Sequence, residues 1–329
     1  MGPHPAVAAV RLAVRRALAG FPVGRPALVA CSGGADSVVL AAALAFEVAG
    51  SGRPAGLVTV DHNLQPGSGE QAARVLALGR ELGLDPVLAE SVRVEPGGGP
   101  EAAARTARYR VLDRFVPANL VLLGHTADDQ AETVLLGLGR GSGPRSIAGM
   151  RPVTGGYLRP LLNLRRHQTE AACEALDLPW WHDPHNSDPR YRRVRLRREV
   201  LPLLEDVLAG GVVEALARTA EQLRDDLDAL DELAERALVA ARTDADATGG
   251  LAVDALHTQP DAILGRVLKS WAERGGTGAL TAAHVRELRR LIRNWHGQAA
   301  IDLPGGYRAI RASGTLNLIS PADNDANWE

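Results

Sequence analysis

The sequence predicts an α/β protein: a parallel sheet with helices on both faces, followed by a smaller, mainly helical domain that ends in a β-hairpin. Three observations carry that reading. Short Val/Leu/Ala runs recur at 27–31, 56–60, 86–90 and 119–123, each followed by a helical pattern, at 36–49, 70–83, 100–114 and 128–138. Strands alternating with helices at this spacing are the signature of parallel crossover units. Beyond residue 211 the composition shifts to Ala/Leu/Asp/Glu, with Leu216, Leu223, Leu227 and Leu230 at helical spacing, as in a core stripe or a pairing face. Further helical stretches lie near 260–273 and 281–295, and 299–319 alternates around Leu303-Pro-Gly-Gly306.

The first strand runs straight into Ser32-Gly33-Gly34-Ala35-Asp36-Ser37 and then into a helix. Adjacent glycines let backbone N–H groups turn inward with no Cβ in the way. The helix start adds unpaired N–H groups and the positive end of its dipole. With the hydroxyls of Ser32 and Ser37 this makes a nest for a phosphate. It has neither the spacing nor the lysine of a P-loop nucleotidase.

Ligands of open α/β sheets collect beyond the C-terminal ends of the strands, where the next two informative loops fall. Asp61-His62-Asn63 follows the second strand. Asp61 there fits a contact to ribose or adenine, or a plain helix cap. Gly124-His125-Thr-Ala-Asp128-Asp129 follows the fourth, with Glu132 one turn further on the face of Asp129. Capping needs one acid; this turn carries three and a histidine, a set suited to Mg²⁺ or a cationic substrate.

Arg105 and Arg108 share one helical face, with Glu101 one turn before Arg105. That pattern fits a solvated, ion-paired helix, or cations placed for charge developing on a phosphoryl group. Residues 139–163 are rich in Gly, Pro and Arg and read as a loop leaving the sheet. Residues 190–198 hold six arginines in nine positions around Tyr191. They fit a nucleic-acid backbone, or a solvated face turned to the acidic C-terminal half. Trp180 and Trp181 read as core.

At 329 residues the chain is long enough for two cored domains, divided at 1–211 and 212–329. Hydrophobic content of 46% and mean hydropathy of −0.07 are ordinary for a globular protein in water. No apolar run approaches the ~20 residues of a membrane helix. The N-terminus lacks a secretory pattern, so a cytoplasmic location is expected. Cys31 and Cys173 form no Cys-x-x-Cys, which argues against a disulfide scaffold and a cysteine-built metal site. Lys269 is the only lysine, so the N-terminal half has no lysine nucleophile. Phosphate charge must be met there by arginine, backbone amides or metal.

Together these segments resemble the PP-loop ATP pyrophosphatase superfamily and, within it, the short form of the tRNA(Ile)-lysidine synthetase family. Ser32–Ser37 is similar to the superfamily loop. The narrower family's motifs resemble Val60-Asp-His-x-Leu64, Glu101-x-x-x-Arg105-x-x-Arg108-Tyr109, Leu123-Gly-His-x-x-Asp-Asp-Gln-x-Glu-Thr133, Arg159-Pro-Leu-Leu162 and the region from Asp183 and Asn186 through Arg193 and Arg197 to Leu201-Pro202. Val194 departs from the family's usual asparagine and lacks its hydrogen bonds.

The resemblance implies two steps. ATP adenylates the wobble cytidine of tRNA(Ile) with a CAU anticodon, and L-lysine then displaces AMP from C2 of that base. It implies ATP contacts from Ser32, Gly33, Gly34, Ala35, Asp36, Ser37 and Asp61, with Asp36 also near Mg²⁺. Catalytic roles fall to Asp36, Arg105, Arg108 and His125. Lysine binding falls to Asp129 and Glu132, and tRNA binding to Arg190, Arg192, Arg193, Arg195 and Arg197. A homodimer is part of the same expectation. A PP-loop tRNA thiolase is the near alternative, disfavoured by the absence of paired cysteines. A non-catalytic, nucleotide-responsive RNA-binding module would leave Asp129 and Glu132 without a purpose.

Overall fold

The computed structural model describes residues 2–63, 67–93, 100–141, 143–183, 188–243 and 249–322. It divides into two compact units, Met1–Leu223 and Arg224–Glu329. The first runs α1 (Pro5–Ala19), β1 (Ala27–Ala30), α2 (Ala35–Val48), β2 (Ala55–Asp61), α3 (Ser68–Glu81), β3 (Val87–Ser91), α4 (Pro100–Leu112) and β4 (Leu120–Leu123). It continues through α5 (Ala127–Arg140), α6 (Pro144–Ile147), β5 (Val153–Thr154), β6 (Tyr157–Leu158) and α7 (Arg166–Glu174). It then enters α8 (Arg192–Arg195), a π-helical turn (Leu196–Val200) and α9 (Leu201–Val207).

Six strands form one sheet in the order β3-β2-β1-β4-β6-β5. All pair in parallel except the β5–β6 hairpin. Alternation along the strands sorts their side chains to two faces. Ala27 and Val29 of β1, Leu57 of β2 and Leu120 and Leu122 of β4 pack with α1, α2 and α7. Leu28, Val58, Val121 and Leu123 pack on the other face with Leu112 and Tyr109 of α4. Trp180 packs against the first of these cores.

Three elements of this unit lie outside the sequence expectations. Helix α1 starts at Pro5 behind a His4 side chain that accepts the Ala6 N–H at 3.3 Å. It buries Val7, Val10, Val14 and Leu18 in the core. Buried Arg53 donates to the carbonyls of Leu18 and Phe21 at its C-terminal end, at 3.4 and 2.9 Å. The stretch expected to be a loop, 139–163, instead carries α6 and the β5–β6 hairpin. Those strands have two residues each, too short for a period to register, and turn at Gly155 (φ 58°) and Gly156. Helix α7 is the third.

In the second unit the rest of α10 (Val212–Ala241) is followed by β7 (Leu251–Ala252), α11 (Val253–His257), α12 (Asp261–Arg274) and α13 (Ala282–Arg293). Strands β8 (Ile301–Leu303), β9 (Tyr307–Ala312) and β10 (Thr315–Ile319) complete an antiparallel sheet ordered β7-β10-β9-β8. The hairpin expected at Leu303–Gly306 is therefore one of two, the other turning at Ser313-Gly314 with positive φ at both residues (49° and 77°). The core gathers on fully buried Trp271, whose indole N–H donates to Gly249 at 3.0 Å.

The leucine stripe of α10 is used within the chain. Leu216 packs with Ala127, Ala131, Leu201 and Val213, and Leu230 packs against the Trp271 core. No helix among the described residues is long and apolar enough to cross a membrane.

Candidate active site

Strand order fixes where the chemistry sits. The chain steps from β1 to β2 and β3 on one side, then returns to place β4 on the other side of β1. The crevice beyond β1 and β4 is thus the topological switch point, the usual ligand position in such sheets. Gly124 makes this crevice close. A Cβ there would lie 3.1 Å from the backbone carbonyl carbon and oxygen of Asp36, so glycine lets the loop after β4 meet the first turn of α2 without pushing either backbone aside.

The Ser32–Ser37 loop is braced from within. The buried Ser37 hydroxyl accepts the Ser32 N–H at 3.1 Å and donates to the Gly34 carbonyl at 3.0 Å, while Ser32 Oγ lies 3.3 Å away. Gly33 sits at φ 87°, and a Cβ on it would overlap Gln71 at 2.1 Å. Trp181 donates its N–H to the Gly33 carbonyl at 2.8 Å. Gly34 caps α2 without any side-chain hydrogen bond, so the early N–H groups stay open toward an anion. Ser37 holds the shape of the nest, and amides line it.

Beside the loop lies a cluster of acids balanced by arginines. Arg166 reaches Asp36 Oδ2 at 3.4 Å with Nε and Asp129 Oδ1 at 3.0 Å with Nη2. Thr169 Oγ1 donates to Asp36 Oδ1. Asp129 Oδ2 accepts the Thr126 N–H at 2.8 Å in a reciprocal capping box. Asp128 accepts the Arg166 N–H at 2.8 Å and pairs with Arg165, which also reaches Glu214 at 2.7 Å. Glu132 is 0% exposed and holds Arg197 at 2.7 Å and Arg193 at 3.4 Å, one on each oxygen.

Burial raises the Asp36 carboxyl to about 6, against the lowering effect of Arg166. Burial works the same way on Asp129, but Arg166 and the Thr126 N–H outweigh it and hold that carboxyl below its ordinary value. Glu132 is raised by burial and by Asp129 despite Arg197. Burial opposes the charge of Arg166, yet Asp129 and Asp36 keep its guanidinium firmly protonated.

Arg108 faces the same space. Burial and Arg105 push its pKa down, and its Nε is buried without a partner among the described residues. His125 and His62 each leave a buried Nδ1 equally unpartnered. Burial, with Arg108 adding to it, drives His125 down to about 3 and also lowers His62, so both imidazoles are neutral. An unsatisfied buried donor on an arginine near Asp129 is one that an anion could complete. Arg105 is half-buried; its charge acts on Arg108 and His125, it bonds to the Tyr109 hydroxyl at 3.3 Å, and it lines an open groove of about 460 Å³ with Thr106, Tyr109, Arg110 and Asp113. Asp61 accepts the Asn63 N–H at 2.9 Å, an Asx turn at the end of β2. Leu64, Asn186 and the side chain of Glu101 lie outside the described residues.

The arginine run of 190–198 divides by helical face. Arg193 and Arg197 point into the acid cluster. Arg190, Arg192, Arg195 and Arg198 are exposed; Arg190 pairs with Asp188 at 2.6 Å and Arg195 with Glu199 at 2.8 Å. Val194, at the usual asparagine position, is buried at 6% exposure. The π-helical turn begins at Leu196 and contains Arg197, the kind of irregular turn often found where a helix serves a site.

Sequence reasoning missed Arg165, Arg166 and Thr169. A signal was present. Two arginines open a helix at 165–166, where the dipole disfavours cations, and such a placement asks for a cluster of acids nearby.

Comparison with known proteins agrees with this geometry. Residues 13–204 match the PP-loop domain family, and residues 251–316 match the TilS substrate binding domain. The chain is 53% identical to the tRNA(Ile)-lysidine synthase of Streptomyces coelicolor, over 96% of this chain and 99% of that protein. It is 52% identical to the tRNA(Ile)-lysidine synthase of Thermobifida fusca, over 96% and 98%. The solved structure of the U34-tRNA thiolase NcsA from Methanococcus maripaludis shares the fold, with a TM-score of 0.55 at 17% identity, covering 66% of this chain and 79% of that one. From the loop of Ser32–Ser37 to the C-terminal sheet, the chain belongs to the tRNA(Ile)-lysidine synthase family of PP-loop, ATP-using ligases.

Proposed function

We propose that this protein converts the wobble cytidine of a CAU-anticodon tRNA(Ile) to lysidine, using ATP and free L-lysine. The observation that carries the reading is the adjacency of an uncapped helix start, fit for phosphate, and a buried acid pair, fit for an amine. One arginine touches the acid on each side.

In the first step the amides at the start of α2 hold the pyrophosphate end of ATP, and Arg108 meets charge developing at the α-phosphorus. The oxygen at C2 of cytosine attacks that phosphorus, and pyrophosphate leaves. In the second step an amine of lysine, oriented by Asp129 and Glu132, attacks C2 and displaces AMP. His125, beside Asp129 and Arg108 and kept neutral by burial, adds no cation to compete with the lysine ammonium, and the proton that the amine sheds leaves with the AMP phosphate or passes to solvent. The arginines on Asp129 and Glu132 give way, wholly or in part, when the lysine ammonium takes its share of those oxygens.

Mg²⁺ fits as a metal carried by the nucleotide. Asp36 offers one carboxylate, and no cluster of three metal-ligating side chains occurs among the described residues, so phosphate oxygens and water would complete the shell. Exposed Arg190, Arg192 and Arg195 suit the tRNA backbone. A cytoplasmic location and a homodimer go with this reading as proposals.

Asp36→Ala is expected to abolish tRNA-dependent pyrophosphate release. Glu132→Ala is expected to retain release while raising the lysine concentration needed for AMP release about tenfold or more. Equal loss of pyrophosphate release in both variants would contradict this division of roles.

A further inference from the structure

We propose that Arg166 is a positioning residue that couples the two half-sites, so that seating an amine on Asp129 frees Arg166 for the nucleotide beside Asp36. This rests on the assignment of ATP and lysine given above.

Arg166 occupies the first position of α7, where the dipole opposes a cation. Its place is owed to acids at both ends of the residue. The backbone N–H is anchored on Asp128 at 2.8 Å, fixing the root of the side chain. The guanidinium fork then divides, Nε to Asp36 at 3.4 Å and Nη2 to Asp129 at 3.0 Å. The Thr169 hydroxyl, one turn along, lies within hydrogen-bond reach of both Asp36 and the Arg166 carbonyl, tying the same turn to the nucleotide side.

The acids that face this fork are Asp36, Asp128 and Asp129, with Glu132 behind them. The neighbouring cations are Arg165, paired with Asp128, and Arg193 and Arg197, which share Glu132. Arg197 also approaches Asp129, at 3.7 Å. Among the described residues, Arg166 alone joins Asp36 to Asp129. A lysine ammonium on Asp129 competes for the oxygen that Nη2 holds. The released half of the fork is then one carboxylate away from the uncapped start of α2, where nucleotide phosphate would sit. Each ligand thereby improves the site of the other, and linkage requires the two effects to be equal.

The test is calorimetric titration of the full chain with L-lysine and with Mg²⁺ and α,β-methylene-ATP, each alone and in the presence of the other, without tRNA. The wild type is expected to show mutual tightening of about fivefold or more, by the same factor in both directions. In R166Q both ligands still bind and the factor falls to about one. In R166K, which keeps the charge but loses the planar fork, part of the factor survives.

An unchanged factor in R166Q, or a wild type that binds both ligands independently, would overturn the proposal. So would a folded R166Q that binds neither ligand, since Arg166 would then be a direct contact. If R166Q does not fold, R166K decides: a factor equal to the wild-type value overturns the proposal. A wild type that binds neither ligand under any condition defeats the underlying assignment, a separate outcome.

Discussion

Asp36 shows how one residue of the candidate site can be costly to the fold. Its carboxyl is buried and raised to about 6, above the ordinary carboxylate value it recovers on unfolding. The folded state therefore holds its proton more tightly than the unfolded state. The stability linked to that proton is present below about pH 4 and is lost as pH rises through about 6. Asp36→Asn is expected to be more stable than the wild type at pH 7.5, by about 1–2 kcal/mol, with no difference near pH 4. Urea titration at both pH values checks this, and equal stability at pH 7.5 would contradict it. The sequence disclosed Asp36 through its loop, and Asp129 and Glu132 through their crowding on one turn. It did not disclose that arginines already neutralise those acids, because the partners lie 37 to 130 residues away along the chain.

At the scale of elements, α7 is the piece that gives the site its shape. Asp128 receives the Arg166 N–H and so caps this helix from the start of α5. Asp128→Ala is expected to cost about 1 kcal/mol in urea unfolding. It also lowers activity more than stability, because Arg166 loses its anchor; a variant with wild-type turnover would contradict this. The first four strands and the helices after them were legible because each strand carries an apolar run between turn signals. The first helix, the short hairpin at 153–158 and α7 were not. The hairpin has two residues per strand, and the nine residues of α7 begin with charges that do not look like a helix start.

Over the whole molecule, charge is arranged by face rather than by segment. The run 190–198 reads as one basic patch, but the helix turns Arg193 and Arg197 inward and leaves Arg190, Arg192 and Arg195 exposed. Periodicity would have separated the two sets; composition could not. Neutralising Arg190, Arg192 and Arg195 to Gln is expected to weaken tRNA binding and flatten its salt dependence by about two to three in slope. Arg197→Gln is expected to leave that slope unchanged while lowering turnover. Filter binding across a salt series separates the two, and equal slopes for the triple variant and the wild type would contradict the assignment.

In the proposed reaction the phosphate nest and the acid pair act together on one base. Incubating the protein with ATP, Mg²⁺, radiolabelled L-lysine and CAU-anticodon tRNA(Ile) tests it most directly. The expected result is lysine label in the tRNA, with AMP and pyrophosphate released in equal amounts to it. ATP cleaved to AMP and pyrophosphate with no lysine label in the tRNA would contradict the claim.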